Sequence, residues 1–283
     1  MSSMRGTPHW MMQRPKVDAK YVLVLSIFLD LLSVSLVVPS LPGRYRELGL
    51  TGWWFGAMGS LYSLTQIIGG VTLGFASDGA LGRRGLLLVS FAGAALSYAM
   101  VAGARTLGTI MLSRVIVGLT KQSVTAVSAL MTEVTASGAE RASWLAHITC
   151  ASTLSWAIGS ALGGFLSTFS PSLPEVVAVL LYGVNALLVA AGAATGGHTQ
   201  PDAAKAKVKV EAEPRRLSSN FAAVLGNSKV LRVLSVQLSR VLVVKALGST
   251  SDMYELDRWS LSTVEIGLLR SYKSVAVLGV QEP

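Results

Sequence analysis

The chain has 283 residues, of which 51% are hydrophobic and only 14% charged, and its mean hydropathy is +0.54. A soluble domain carries roughly 25% charged residues, so a globule surrounded by water is excluded and the composition points to a lipid bilayer. The net charge of +9 lies in the gaps between apolar runs, which argues against a nucleic-acid-binding protein and for loops beside anionic lipid.

Residues 1–20 are polar and basic (Arg5, Arg14, Lys16, Lys20) and read as a cytoplasmic tail. The apolar run behind them, of about 20 residues, is too long for the core of a cleavable leader. A bilayer core needs about 20 apolar helical residues. Six runs meet that length: Tyr21–Leu41, Trp53–Ser77, Gly85–Ala104, Leu107–Met131, Ala142–Phe169 and Val176–Ala194. They are continuous rather than alternating, so they predict helices and not the strands of a barrel. The fold class expected is all-α and integral to the membrane. Residues 21–195 form a six-helix unit.

Residues 196–229 hold Ala, Pro and charge with almost no apolar mass, and read as a cytoplasmic linker. Two weaker runs follow within 230–283. Val230–Thr250 carries Arg232, Arg240 and Lys245, and Val264–Val280 carries Glu265, Arg270 and Lys273. Each such charge is costly in a bilayer unless it is paired or faces a wet cavity.

Lys and Arg set the orientation. With the N-terminus in the cytoplasm, thirteen fall on inside segments and four on outside ones (Arg44, Arg46, Arg105, Arg258). The single cysteine, Cys150, sits within an apolar run and excludes an intramolecular disulfide. No cluster has metal-ligand spacing and no Gly-rich loop follows a strand. No metal, cofactor or enzymatic residue set is expected.

Three segments carry chemistry. Asp30 lies in the first run, in Leu29-Asp30-Leu31-Leu32-Ser33, ahead of Pro39-Ser40-Leu41-Pro42. An intramembrane carboxylate is a functional candidate by default. Arg114, Gly118 and Lys121 in the fourth run fall at i, i+4 and i+7, one face of a continuous helix. Asp30 is the natural partner of those two cations. Between runs two and three stand Gly74, Asp78, Gly79, Gly82, Arg83 and Arg84. Gly74 suits close helix approach, Gly79 and Gly82 suit a tight reversal, and Asp78 offers an anion at a helix end. Glu133 is placed to reach Arg83 or Arg84 from the far end of the fourth run. Glu140 and Arg141 read as loop residues. His147 reads as a structural, hydrogen-bonded side chain, with a proton relay as its alternative. Gly159, Gly163 and Gly164 suit close packing of the fifth run.

The Gly74 to Arg84 loop resembles the signature loop of the major facilitator superfamily, with one more residue between Asp78 and Gly82 than that family usually has. The Asp30 to Pro42 stretch resembles helix one of its drug:proton antiporter branch, which includes tetracycline exporters, and Ser33 stands where that branch usually has Gly. Gly159-Ser160-Ala161-Leu162-Gly163-Gly164 resembles the antiporter motif with Ser160 in place of Pro. Arg114 to Arg141 resembles an orphan eukaryotic type within the same branch.

The resemblance implies twelve helices in two six-helix halves, with a substrate path between them. It implies a secondary transporter of a small organic solute, working by alternating access, with proton-coupled antiport as the coupling the branch suggests. Asp30, Arg114 and Lys121 would line the substrate and proton cavity, and Gly74, Asp78, Gly82, Arg83 and Arg84 would form the gate. Helices nine to twelve have no counterpart here, so a fragment or truncated isoform is expected. The alternative is a non-transporting membrane protein that acts only through a partner supplying the missing half.

Overall fold

In the computed structural model, residues 18–50, 52–79, 81–195 and 226–280 are described. The tail before residue 18 and the linker stretch 196–225 lie outside them. The described residues form ten helices and no strand. These are α1 (Ala19–Val37), α2 (Leu41–Glu47), α3 (Gly52–Asp78), α4 (Gly82–Ala102), α5 (Leu107–Thr120), α6 (Ser123–Val134), α7 (Gly138–Leu166), α8 (Leu173–Thr195), α9 (Ser228–Trp259) and α10 (Thr263–Val280).

Among the described residues, five stretches are long and apolar enough to cross a bilayer: Ala19–Glu47, Gly82–Ala102, Leu107–Val134, Gly138–Leu166 and Leu173–Ala191. The 27-residue α3 is diluted by Gly, Ser, Thr and Gln, and it packs on α4 and α5 inside the same bundle. Aliphatic side chains such as Leu64, Ile67, Leu180 and Leu187 stay exposed on the outer faces. An apolar rim of this kind is the surface that lipid covers.

Two of the expected spans are interrupted. The first ends at Val37, turns through residues 38–40, and resumes as the short α2 with Pro42 in its first turn, where a missing N–H costs nothing. The fourth breaks at Lys121 and Gln122, between α5 and α6. The fifth starts earlier than its apolar pattern does. Ser137 caps α7, its Oγ accepting from the Glu140 N–H, while a Glu140 carboxylate oxygen accepts from the Ala136 N–H. Glu140 and Arg141 are therefore helical rather than in a loop.

The centre of the bundle depends on small residues. A Cβ on Gly163 would lie 2.0 Å from the Leu36 carbonyl oxygen, and one on Gly159 would lie 1.8 Å from Ser35 Oγ, so α1 sits directly on the backbone of α7. Ser35 Oγ donates to the Ser155 carbonyl and Ser155 Oγ to the Phe28 carbonyl, both at 2.8 Å. The opposite side of α7 receives α10. A Cβ on Gly164 would lie 2.9 Å from the Thr263 carbonyl, and Ser271 Oγ donates to the Ala157 carbonyl. With Ser160 where the antiporter motif has Pro, α7 runs unbroken from Gly138 to Leu166.

Candidate functional site

Asp30 is fully buried on α1. The break after α5 delivers Lys121 to it, and the ammonium forms an ion pair with Oδ1. Ser123, the first residue of α6, donates its hydroxyl to Oδ2 at 2.7 Å. The carboxylate thus lies at a helix N-terminus, where the backbone dipole favours an anion. Tyr182 of α8 closes the cluster. Its hydroxyl accepts from Lys121 Nζ at 2.8 Å and donates to the Asp30 carbonyl at 3.2 Å, and Nζ stands 4.9 Å from its ring centroid. Tyr98 stacks on Tyr182 at 5.9 Å and holds the ring in place. Both ionic partners are desolvated, so the pair survives on mutual attraction and on these added hydrogen bonds.

The break itself is built into the bundle. Ser90 Oγ donates to the Thr120 carbonyl at 2.7 Å and accepts from the Gln122 N–H at 3.1 Å. Gln66 Nε2 donates to the Lys121 carbonyl at 3.4 Å, and Gln122 Nε2 to the Gln66 carbonyl at 3.2 Å. Irregular backbone at membrane depth persists only where neighbours meet its polar groups in this way.

The break also corrects the expectation for Arg114, Gly118 and Lys121, because one helical face does not extend across it. Gly118 faces α3, where a Cβ would meet Thr65 Oγ1 at 1.9 Å. Arg114 forms no ion pair with Asp30. Its Nε donates to Ser113 Oγ at 3.4 Å, its Nη2 is buried without a hydrogen-bond partner among the described residues, and Tyr45, Tyr62 and Tyr98 lie within its electrostatic reach.

The α3–α4 loop divides likewise. Gly82 has φ +66°, a left-handed conformation that glycine adopts without strain, while Gly79 does not need one. A Cβ on Gly74 would meet nothing within 4 Å, so this glycine does not mark a close approach among the described residues. Arg83 pairs with Glu133 at 2.9 Å and donates to the Ala129 carbonyl at 3.0 Å, tying the start of α4 to the last turn of α6. Asp78 and Arg84 form no ion pair among the described residues. His147 Nδ1 lies 2.7 Å from the Ser143 carbonyl, consistent with the structural reading, and its ring stands 5.1 Å from Trp144.

Sequence reasoning missed three contributors. Ser123 and Tyr182 are ordinary residues in apolar runs, with no local signal of their partners. Glu175 falls one residue before the sixth run, outside the pattern that marks a span. It is fully buried in the first turn of α8 and accepts from Ser40 Oγ at 2.9 Å, so the bundle buries a second acid besides Asp30.

A family pattern described as Major Facilitator Superfamily matches residues 23–280. Tetracycline resistance protein, class G, of Vibrio anguillarum is 34% identical over 170 residues, covering 59% of this chain and 43% of that protein. Major facilitator superfamily domain-containing protein 10 of Bos taurus is 32% identical over 205 residues, covering 62% of this chain and 44% of that protein. The chain thus spans less than half the length of these curated relatives. The crystal structure of the human organic anion transporter MFSD10 (TETRAN) superposes with a TM-score of 0.63 at 22% identity, covering 93% of this chain and 70% of that one, which shows a shared fold. The family pattern extends over nearly the whole sequence, and the chain belongs to the Major Facilitator Superfamily.

Proposed function

We propose that the protein is a secondary active transporter of a small organic solute, coupled to protons and working by alternating access. Membership of a transporter family sets it apart from enzymes. The observation that carries the finer reading is the Asp30–Lys121 pair, buried at a helix break in the middle of the bundle. A buried ion pair there is costly to part, so whether its two members stay together is tied to the conformation of the bundle. The relatives include a tetracycline resistance protein and an organic anion transporter, which makes both chemical types reasonable probes. The finer resemblance of Arg114 to Arg141 is to the orphan type called major facilitator superfamily domain-containing protein 9.

In this reading residues 21–195 form one rocking body and 230–283 begin the other. Arg114 lines the cavity between them, and Asp78 with Arg83 and Arg84 gates it. The test is flux in sealed liposomes under an imposed pH gradient, with tetracycline and fluorescein as probes. Gradient-dependent flux in the wild type that is lost in Asp30→Asn supports the reading. Flux that is unchanged in Asp30→Asn removes the role given to Asp30. Wild-type flux equal to that of empty liposomes favours the alternative, a non-transporting family member that acts through a partner chain.

A further inference from the structure

Glu175 is fully buried, and the cluster around Asp30 makes no use of it. It stands in the first turn of α8, directly after Pro174, which has no N–H to donate. The Val176 N–H is engaged by the Ser172 carbonyl at 3.2 Å. One carboxyl oxygen of Glu175, Oε1, lies 2.9 Å from Ser40 Oγ. The other, Oε2, is buried with no hydrogen-bond partner among the described residues. Ser40 is the residue before α2, so its contact with Glu175 ties the α1–α2 turn to α8.

The groups that face Glu175 leave it without a cation. On α2, Arg44 pairs with Glu47 at 3.2 Å, and both lie within electrostatic reach of Glu175. The Arg44 Nη2 donates to the Val101 and Ala102 carbonyls, at 3.2 and 2.6 Å, and to Ser172 Oγ at 3.0 Å. Those carbonyls end α4, where the helix dipole favours a cation. On α4, Tyr98 is the titratable group within reach. Glu175 forms no ion pair among the described residues. A carboxylate stripped of water and left without an ion partner is among the costliest groups to bury.

The Ser40 hydroxyl has one proton and two short contacts, to the Val37 carbonyl at 2.7 Å and to Glu175 Oε1 at 2.9 Å. Beside an ionised Glu175, that one proton serves two acceptors. A proton on Glu175 ends the shortage. The acid O–H then donates to Ser40 Oγ, and the serine proton goes wholly to the Val37 carbonyl.

We infer that Glu175 is a proton-binding site at the end of the bundle where α1 stops and α8 starts. With the proton on, the acid donates to Ser40 and Arg44 stays on the end of α4. On release, the O–H bond breaks and leaves its electron pair on the carboxylate, and water on that side takes the proton. Arg44, already on Ser172 three residues before Glu175, then turns from the α4 carbonyls to the carboxylate. The site is separate from the Asp30–Lys121 pair and stands whether or not the chain moves a solute.

The test is infrared spectroscopy of the full chain in lipid nanodiscs, read at the C=O stretch of protonated carboxyl groups and confirmed by its shift in heavy water. Expected at neutral pH is a band that Glu175→Gln removes and Asp30→Asn keeps. Ser40→Ala, which takes away the acceptor, moves that band to higher frequency. Raising the pH abolishes the band, and Arg44→Gln shifts this loss to higher pH, because the carboxylate has lost its waiting cation. If Glu175→Gln does not fold, the displacement by Ser40→Ala carries the assignment. A wild type without the band at neutral pH, or a band that neither Glu175→Gln nor Ser40→Ala alters, overturns the site. A band removed by Asp30→Asn assigns the proton to Asp30 and overturns it equally. Loss of the band at the same pH in Arg44→Gln and wild type overturns the movement of Arg44.

Discussion

Lys121 reaches Asp30 because α5 stops one residue before it and α6 starts two residues after it. The ion pair and the helix break are one feature. Without the break, the lysine would follow the helical face of Arg114 and Gly118. Truncating one member of a buried pair leaves an uncompensated charge, at a cost of about 3–5 kcal/mol. Lys121→Ala is expected to lower the melting temperature of the detergent-solubilised protein sharply, read by intrinsic fluorescence. Asp30→Asn combined with Lys121→Gln should recover most of that loss, because no charge is left unpaired. A double variant as unstable as Lys121→Ala would show that the pair is not the source of the stability.

Much of this is legible in the sequence, and the limits have physical causes. The order of the helical runs follows from run length, because a bilayer imposes one spacing on every span, but the breaks that divide the first and fourth runs into two helices each do not. Asp30 stands out because a carboxylate in an apolar run is expensive. Its partner does not resolve, because Arg114 and Lys121 are equivalent on an ideal helix and the break is stabilised by Ser90 and Gln66, which belong to other helices. Tyr182 lies 61 residues from Lys121 along the chain, and only packing brings it there. Gly74 and Gly163 look alike in sequence, yet only Gly163 carries a neighbouring backbone.

That difference is testable. Gly163→Val places atoms where the Leu36 carbonyl already stands, 2.0 Å from the Cβ position, and Leu36 backbone cannot yield without moving α1. Little folded protein is expected, seen as loss of the monodisperse peak on size-exclusion chromatography. Gly74→Ala meets open space and should elute and melt like the wild type. A well-folded Gly163→Val would mean that α1 and α7 are not packed backbone to backbone.

Arg83 and Arg84 are adjacent, but among the described residues only Arg83 has an ion-pair partner, Glu133, whose side chain is 53% exposed. An ion pair so open to solvent contributes about 0–1 kcal/mol. A double-mutant cycle on Arg83→Ala and Glu133→Ala is expected to give a coupling in that range which fades at high salt, whereas Arg84→Ala with Glu133→Ala should be additive. Coupling through Arg84 instead would reassign the tie between α4 and α6.

The orientation we propose, with the excess of Lys and Arg on the cytoplasmic loops, would put the start of α7 in the cytoplasm and the α7–α8 turn on the other side. Ala139 and Ser170, one at each end of α7, are both exposed. In a Cys150→Ser background, which removes the only native thiol, each is replaced by cysteine and treated with a membrane-impermeant maleimide in sealed right-side-out vesicles. Ser170→Cys should label directly, and Ala139→Cys only after permeabilisation. The opposite pattern would invert the bundle.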